Sequence, residues 1–272
     1  MRILNSIIIY KSIYTFFTIE RKKLMNSKIF NLVMENLGEA LNLPKYDEIK
    51  DSLTEQTTFE EMGITPVKFE KFKEDILETL SLKSVKIRWE GTIESVVDQL
   101  DIKYSTMFFG EIWKPTTEKY SYTGWALVDE VKKLNPKAVL DVGCGYNQFK
   151  ERIPNLIGID PYNNMSDYQV DILEYANVDE HFDAIIALGS INFNSREDIR
   201  LRLANCVKLL NKGGKMFFRV NPGIQHKNGP WVEVFAWSFE VAHDFAKEFG
   251  LELETFKQDS NDRKYFVLSK PA

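Results

Sequence analysis

Apolar positions in the second half of the chain come in short runs, and these alternate with stretches at helical spacing. Residues 138–142 are apolar and β-branched apart from one acid, the pattern of a parallel strand covered on both faces. Residues 156–159 predict a second strand, 168–173 a third, 182–188 a fourth and 215–220 a fifth. Residues 251–256 and 264–268 predict two closing strands. Trp125, Leu127, Val128, Val131 and Leu134 fall on one helical face ahead of the first strand. Ser195 with Asp198 opens a helix through Ile199, Leu203, Val207 and Leu210, which Gly213-Gly214 ends. A last helix is predicted over 238–249. Strand and helix in alternation imply βαβ units around a parallel sheet.

The first half reads as helices only. Ile29, Leu32, Val33, Leu37 and Leu41 share a face. Thr57 and Thr58 before Phe59-Glu60-Glu61 predict a capped short helix, and Thr65-Pro66 starts another that carries Phe69, Phe72, Ile76, Leu77 and Leu80. Thr92 caps a last helix with Ile93, Val96, Val97 and Leu100. The predicted organisation is a leader over 1–25, a helical domain over 26–102 and an α/β domain over 103–272.

Composition narrows the function classes. The 272 residues carry a net charge of −5 and no long basic block, which disfavours a nucleic-acid partner held by phosphate electrostatics. Cys144 and Cys206 have no metal-ligand spacing, so no metal is expected, and they suit a reducing, cytoplasmic setting. The leader is apolar around Ile7-Ile8-Ile9-Tyr10, but Lys11 interrupts it and the run is too short to span a bilayer, so no membrane partner is expected. It reads as a disordered or spurious segment. Glu20-Arg21-Lys22-Lys23-Leu24-Met25 reads as a translated ribosome-binding site with Met25 as the start.

The candidate chemistry gathers where the first strand ends. Gly143 and Gly145 permit a sharp turn and a close ligand approach. The second strand ends on Asp160, where an open α/β sheet places a ribose-binding carboxylate. Gly-x-Gly turn and terminal acid together describe a crevice for a nucleoside ligand. A nicotinamide dinucleotide fits less well, because its fingerprint needs glycine where Gln148 stands.

Val139-Leu140-Asp141-Val142-Gly143-Cys144-Gly145, Gly158-Ile159-Asp160 and Leu209-Leu210-Asn211-Lys212-Gly213-Gly214, in register with seven strands and a final hairpin, resemble the class I S-adenosylmethionine-dependent methyltransferases. The overall look is similar to small phage- or bacterium-encoded members. The resemblance implies a Rossmann-like seven-stranded sheet, S-adenosyl-L-methionine as cofactor and methyl transfer to a small-molecule or protein acceptor. It implies that Gly143, Cys144 and Gly145 pass under the methionine part of the donor and that Asp141 lies near its ammonium. Asp160, with Pro161 beside it, would receive the ribose hydroxyls, Asp171 and Ile172 would flank the adenine, and Leu188 and Gly189 would line the mouth. Asn147 stands where the family often has a third glycine.

The helical domain resembles an acyl carrier protein in its first helix, long loop, Phe59-Glu60-Glu61-Met62-Gly63 and Gly91-Thr92-Ile93. Thr65-Pro66-Val67 stands where that family places its modified serine, and proline has no hydroxyl to modify. A helical bundle used for docking or substrate covering is therefore the preferred reading.

The acceptor side is thinly written. The signatures of nucleic-acid amino methylation and of cytosine carbon-5 methylation are both absent. His226 is a candidate general base, Arg219 and Asn221 are candidates for an acidic acceptor, and Trp113, Tyr120, Tyr122, Trp231 and Trp237 are candidate pocket walls. The alternative to an enzyme is a catalytically silent protein of this fold that docks through its helical domain.

Overall fold

The computed structural model describes residues 26–41, 53–113, 125–175, 180–221, 223–224, 227–258 and 262–272. The leader, the Met25 start, Tyr120, Tyr122 and His226 lie outside them. The chain divides into two compact units, Met1–Ser105 and Thr106–Ala272.

In the first unit α1 (Ser27–Leu41) starts at Asn26, whose Oδ1 accepts from the amides of Lys28 and Ile29 at 3.0 and 3.2 Å. Thr65 caps α2 (Pro66–Thr79), with Pro66 at its first position. Thr92 Oγ1 accepts from Ser95 N at 3.1 Å at the head of α3 (Ile93–Met107). The helix expected near Phe59 is a turn. Thr58 and Glu61 do bond reciprocally, but Ile64 N returns to Phe59 O at 3.1 Å and Gly63 takes φ +73°, which closes the chain before a helix can propagate. Phe59, Phe69 and Phe72 pack ring against ring in this unit's core.

The second unit holds a six-stranded sheet of order β2-β1-β3-β4-β6-β5, with β1 (Val139–Val142), β2 (Leu156–Ile159), β3 (Phe182–Leu188), β4 (Leu210–Val220), β5 (Glu252–Gln258) and β6 (Lys264–Ser269). The first four are parallel, and β6 inserts antiparallel between β4 and β5. Strand alternation sends Leu140, Val142, Ile185, Ala187, Phe218 and Phe266 to one face. There they pack against α5 (Arg196–Leu209) and α6 (Phe239–Glu248). Val139, Ala184, Ile186, Phe217 and Val267 face the other way, onto Leu127, Val128 and Val131 of α4 (Trp125–Lys133). This is the Rossmann-like α/β sandwich, covered on both faces, that the alternation of runs predicted.

Two expectations are corrected. Of the predicted seven strands, six form among the described residues. The third, over 168–173, is a single bridge from Tyr168 to Ile159 followed by a turn. Asp171 is the cause: its Oδ1 accepts from Leu173 N, and its carbonyl accepts from Glu174 N and Tyr175 N, each at 2.9 Å. Local bonds of this kind compete with a ladder. The helix expected to end at Gly213-Gly214 stops at Leu209, and β4 begins at once. Lys270 Nζ satisfies the released carbonyls of Val207 and Leu210 at 2.9 and 2.8 Å.

Candidate functional site

β1 lies between β2 and β3, so the chain passes to one side after β1 and crosses to the other after β2, which opens a crevice at the C-terminal end of β1. The Gly143–Gly145 turn occupies that end. Gly143 (φ +67°) and Gly145 (φ +55°) are both left-handed. A Cβ on Gly143 would lie 2.2 Å from Ser190 Cβ, so glycine here lets the turn close on the loop after β3, where the Ser190 hydroxyl bonds Val142 O. Gly158 does the same on the other side. A Cβ there would meet Asn147 Oδ1 at 2.4 Å and Cys144 Sγ at 2.9 Å. Cys144 is thus a small buried filler whose thiol is pushed far up by burial and nearby carboxylates.

Asp160 joins the turn to the end of β2. Its Oδ2 accepts from Gly145 N at 3.0 Å, and its Oδ1 accepts from Tyr162 N and Asn163 N at 2.8 and 2.9 Å. Burial raises this carboxyl above the usual range, while the three amides oppose the shift. Pro161 follows, half-buried. Asp141 shares the parity of Val139 and is 2% exposed. Burial, and then the charge of Asp160, push it up to about 8.

The described residues leave three buried side-chain atoms without a hydrogen-bond partner: Asp141 Oδ2, Asn147 Oδ1 and Asn192 Nδ2. All three belong to the ends of β1 and β3 or the turns that follow them. Buried orphans of this kind cost about 1–3 kcal/mol each and call for an explanation. The orientations of the two amides are fixed by what the same groups already hold. Asn147 donates through Nδ2 to Asp167 Oδ2 at 3.2 Å, and Asn192 Oδ1 accepts from Asn221 N at 2.9 Å.

Asp171 and Ile172 lie beyond β2. Asp171 is ion-paired to Arg202 of α5 through its Oδ2, and Ile172 is in the core. Leu188 ends β3 beside Arg219 of β4, and Gly189 follows with φ +81°. Arg219, 9% exposed, also faces Tyr265, whose hydroxyl burial raises. Trp237 is core, with Nε1 donating to Ile191 O at 3.2 Å, and Trp113 and Trp231 are half-buried. Sequence reasoning missed Ser190, Asn192, Asp167 and Arg202. Each matters through a partner 20 to 48 residues away, and no local pattern marks such pairs.

Fold and crevice together define a Rossmann-like α/β domain with a glycine turn and an acid meeting at its switch point. No protein-family model matches the chain, and no curated protein matches it. Solved structures do align. NodS, an N-methyltransferase of Bradyrhizobium japonicum in complex with S-adenosyl-L-homocysteine, is 15% identical over 58% of this chain and 94% of its own, with TM-score 0.44. An S-adenosylmethionine-dependent methyltransferase of Clostridium acetobutylicum is 13% identical over 63% and 99%, with TM-score 0.44. DesVI of Streptomyces venezuelae is 15% identical over 62% and 97%, with TM-score 0.46. Among the described residues no helix is long and apolar enough to cross a membrane, and no group of three or more His, Cys, Asp or Glu is placed to hold a metal.

Proposed function

We propose that the protein is an S-adenosylmethionine-dependent methyltransferase acting on a small-molecule or protein acceptor. One observation carries the reading: Asp160 is bonded to the amide of Gly145 at 3.0 Å, with the orphan carboxylate of Asp141 in the adjoining strand. A buried acid without a partner suits a cationic guest, and the donor's ammonium is one. The residues thus fit the group. Asp141 would hold the ammonium, the Gly143–Gly145 backbone would run beneath the amino-acid part, and Asp160, with Pro161 beside it, would take the ribose hydroxyls on its remaining lone pairs. Asp171 and Ile172 would flank the adenine, Arg202 holding the Asp171 carboxylate in place. Leu188 and Gly189 would line the mouth.

The bound donor supplies an electrophilic methyl on a sulfonium. The chain's part is to hold the acceptor in line with it and exclude water. Arg219 and Asn221 stand at the end of β4, where an acidic group on the acceptor would be met. His226, which follows β4 in the sequence, is the proposed base.

A second reading is a silent protein of the same fold that docks through its helical unit. It is favoured by the carboxylates themselves, since Asp160 is occupied by three backbone amides and Asp171 by Arg202. Calorimetry with S-adenosylmethionine and S-adenosylhomocysteine separates the two. Binding of both supports the enzyme, and no binding of either supports the silent protein. Asp160→Ala is expected to weaken S-adenosylhomocysteine binding by about 1–3 kcal/mol through lost charge-assisted hydrogen bonds. Unchanged affinity in that variant rules out the site assignment.

A further inference from the structure

The chain between Met107 and Trp113 is π-helical. Phe108–Ile112 takes the wider turn, closed by Trp113 N donating to Phe108 O at 2.6 Å. Such turns are uncommon and concentrate at functional sites. Phe108 anchors this one. A Cβ on Gly229 would lie 2.4 Å from Phe108 Cε2, so the ring is seated where only glycine admits it. The next residue, Phe109, points its ring elsewhere. It stacks on Tyr162 with centroids 5.2 Å apart and planes 20° apart, and meets Phe193 edge-on at 4.9 Å. Tyr162 belongs to the loop after β2, held by Asp160, and Phe193 to the loop after β3. Because β1 lies between those strands, Phe109 bridges the two loops that flank the glycine turn. Phe109, Tyr162 and Phe193 are each half-buried and lie outside the two core clusters on the faces of the sheet.

We infer that Phe109 is the gate of the crevice. It closes the mouth by bridging Tyr162 and Phe193, and it opens when the π-turn rearranges. The inference rests on the donor reading above. A π-turn holds one residue more than the α-helical turn it replaces, so slippage between the two rotates the residues after Ile112 by roughly 100° and re-aims those inside the turn by less. Re-aiming Phe109 inside the turn takes its ring off both partners with Phe108 still seated on Gly229. Gly110, with no side chain and its backbone beside Tyr162 O, puts little in the way of the movement.

Stopped-flow binding of S-adenosylhomocysteine to the full-length protein and to Phe109→Ala tests this, with calorimetry giving the equilibrium constants. The expected result is entry and exit each faster by about tenfold or more in the variant, with affinity changed far less, because a gate acts on both directions. A purely structural ring would lower the thermal midpoint and leave both rates in place, which overturns the gate. Phe109→Leu keeps apolar bulk without the stacking and serves if the alanine variant does not fold. It should show the same acceleration in smaller measure, and wild-type rates in it overturn the inference. If the wild-type protein binds no S-adenosylhomocysteine, the donor reading falls and the gate falls with it. If it binds and the variants match it in rate, the gate alone falls.

Discussion

Asp141 is the residue where burial and chemistry conflict most. Its folded-state value of about 8 lies above the usual 3.8 for an unfolded aspartate, and desolvation is the leading cause. Between those values the native state holds a proton that the unfolded chain has lost. Stability therefore falls as pH rises from about 4 to about 8, and the penalty is complete above that. Asp141→Asn removes it. The variant is expected to gain on wild type by about 1–3 kcal/mol at pH 8 and little at pH 4, read as thermal midpoints across that range. A gain independent of pH would mean that Asp141 is already ionised in the native state at low pH. The same substitution should weaken S-adenosylhomocysteine binding, so stability and binding should move in opposite directions. Asp141 was legible in the sequence as an acid inside a buried strand, but its orphaned Oδ2 was not. Whether a carboxylate finds a partner depends on which groups the fold brings to it.

At the scale of the element, the glycine turn is held by its surroundings. Gly143→Ala places a Cβ against Ser190 and forces alanine into left-handed backbone. The expected loss is about 3 kcal/mol or more, of which roughly 1–2 kcal/mol is the conformation itself. Adding Ser190→Gly removes the collision and leaves the conformational part, so a chemical-denaturation double-mutant cycle should show strong coupling. Additive losses would mean that the two loops do not touch. The turn was legible because glycine spacing is local. The missing third strand was misread because the strand-like run over 168–173 masked a local turn signal, Asp171, which bonds the amides two to four residues on. The early start of β4 was hidden because its cause is distant. Lys270, 60 residues from Leu210, supplies the bond that lets α5 stop.

At the scale of the molecule, the two units carry different chemistry. The crevice residues all lie within Thr106–Ala272, and the helical core around Phe59 lies within Met1–Ser105. Scanning calorimetry is expected to resolve two transitions. S-adenosylhomocysteine at about a hundred times its dissociation constant should raise the one belonging to the α/β unit by roughly 5–10 °C, equivalent to about 2.7 kcal/mol, and leave the other in place. A single transition that moves as a whole would show instead that the units melt together.

The sequence by itself determined the alternation of strand and helix, the two faces of the sheet and the place of the Gly143–Gly145 turn. Those arise from side-chain period and backbone freedom, which are properties of neighbouring residues. Only the tertiary structure decided that Gly158 must be bare to admit Asn147 and Cys144, that Arg202 takes Asp171, and that Phe109 lies between Tyr162 and Phe193. Each of these is a meeting of residues distant in the chain. Where such residues meet is set by the packing of whole elements, which no short stretch of sequence contains.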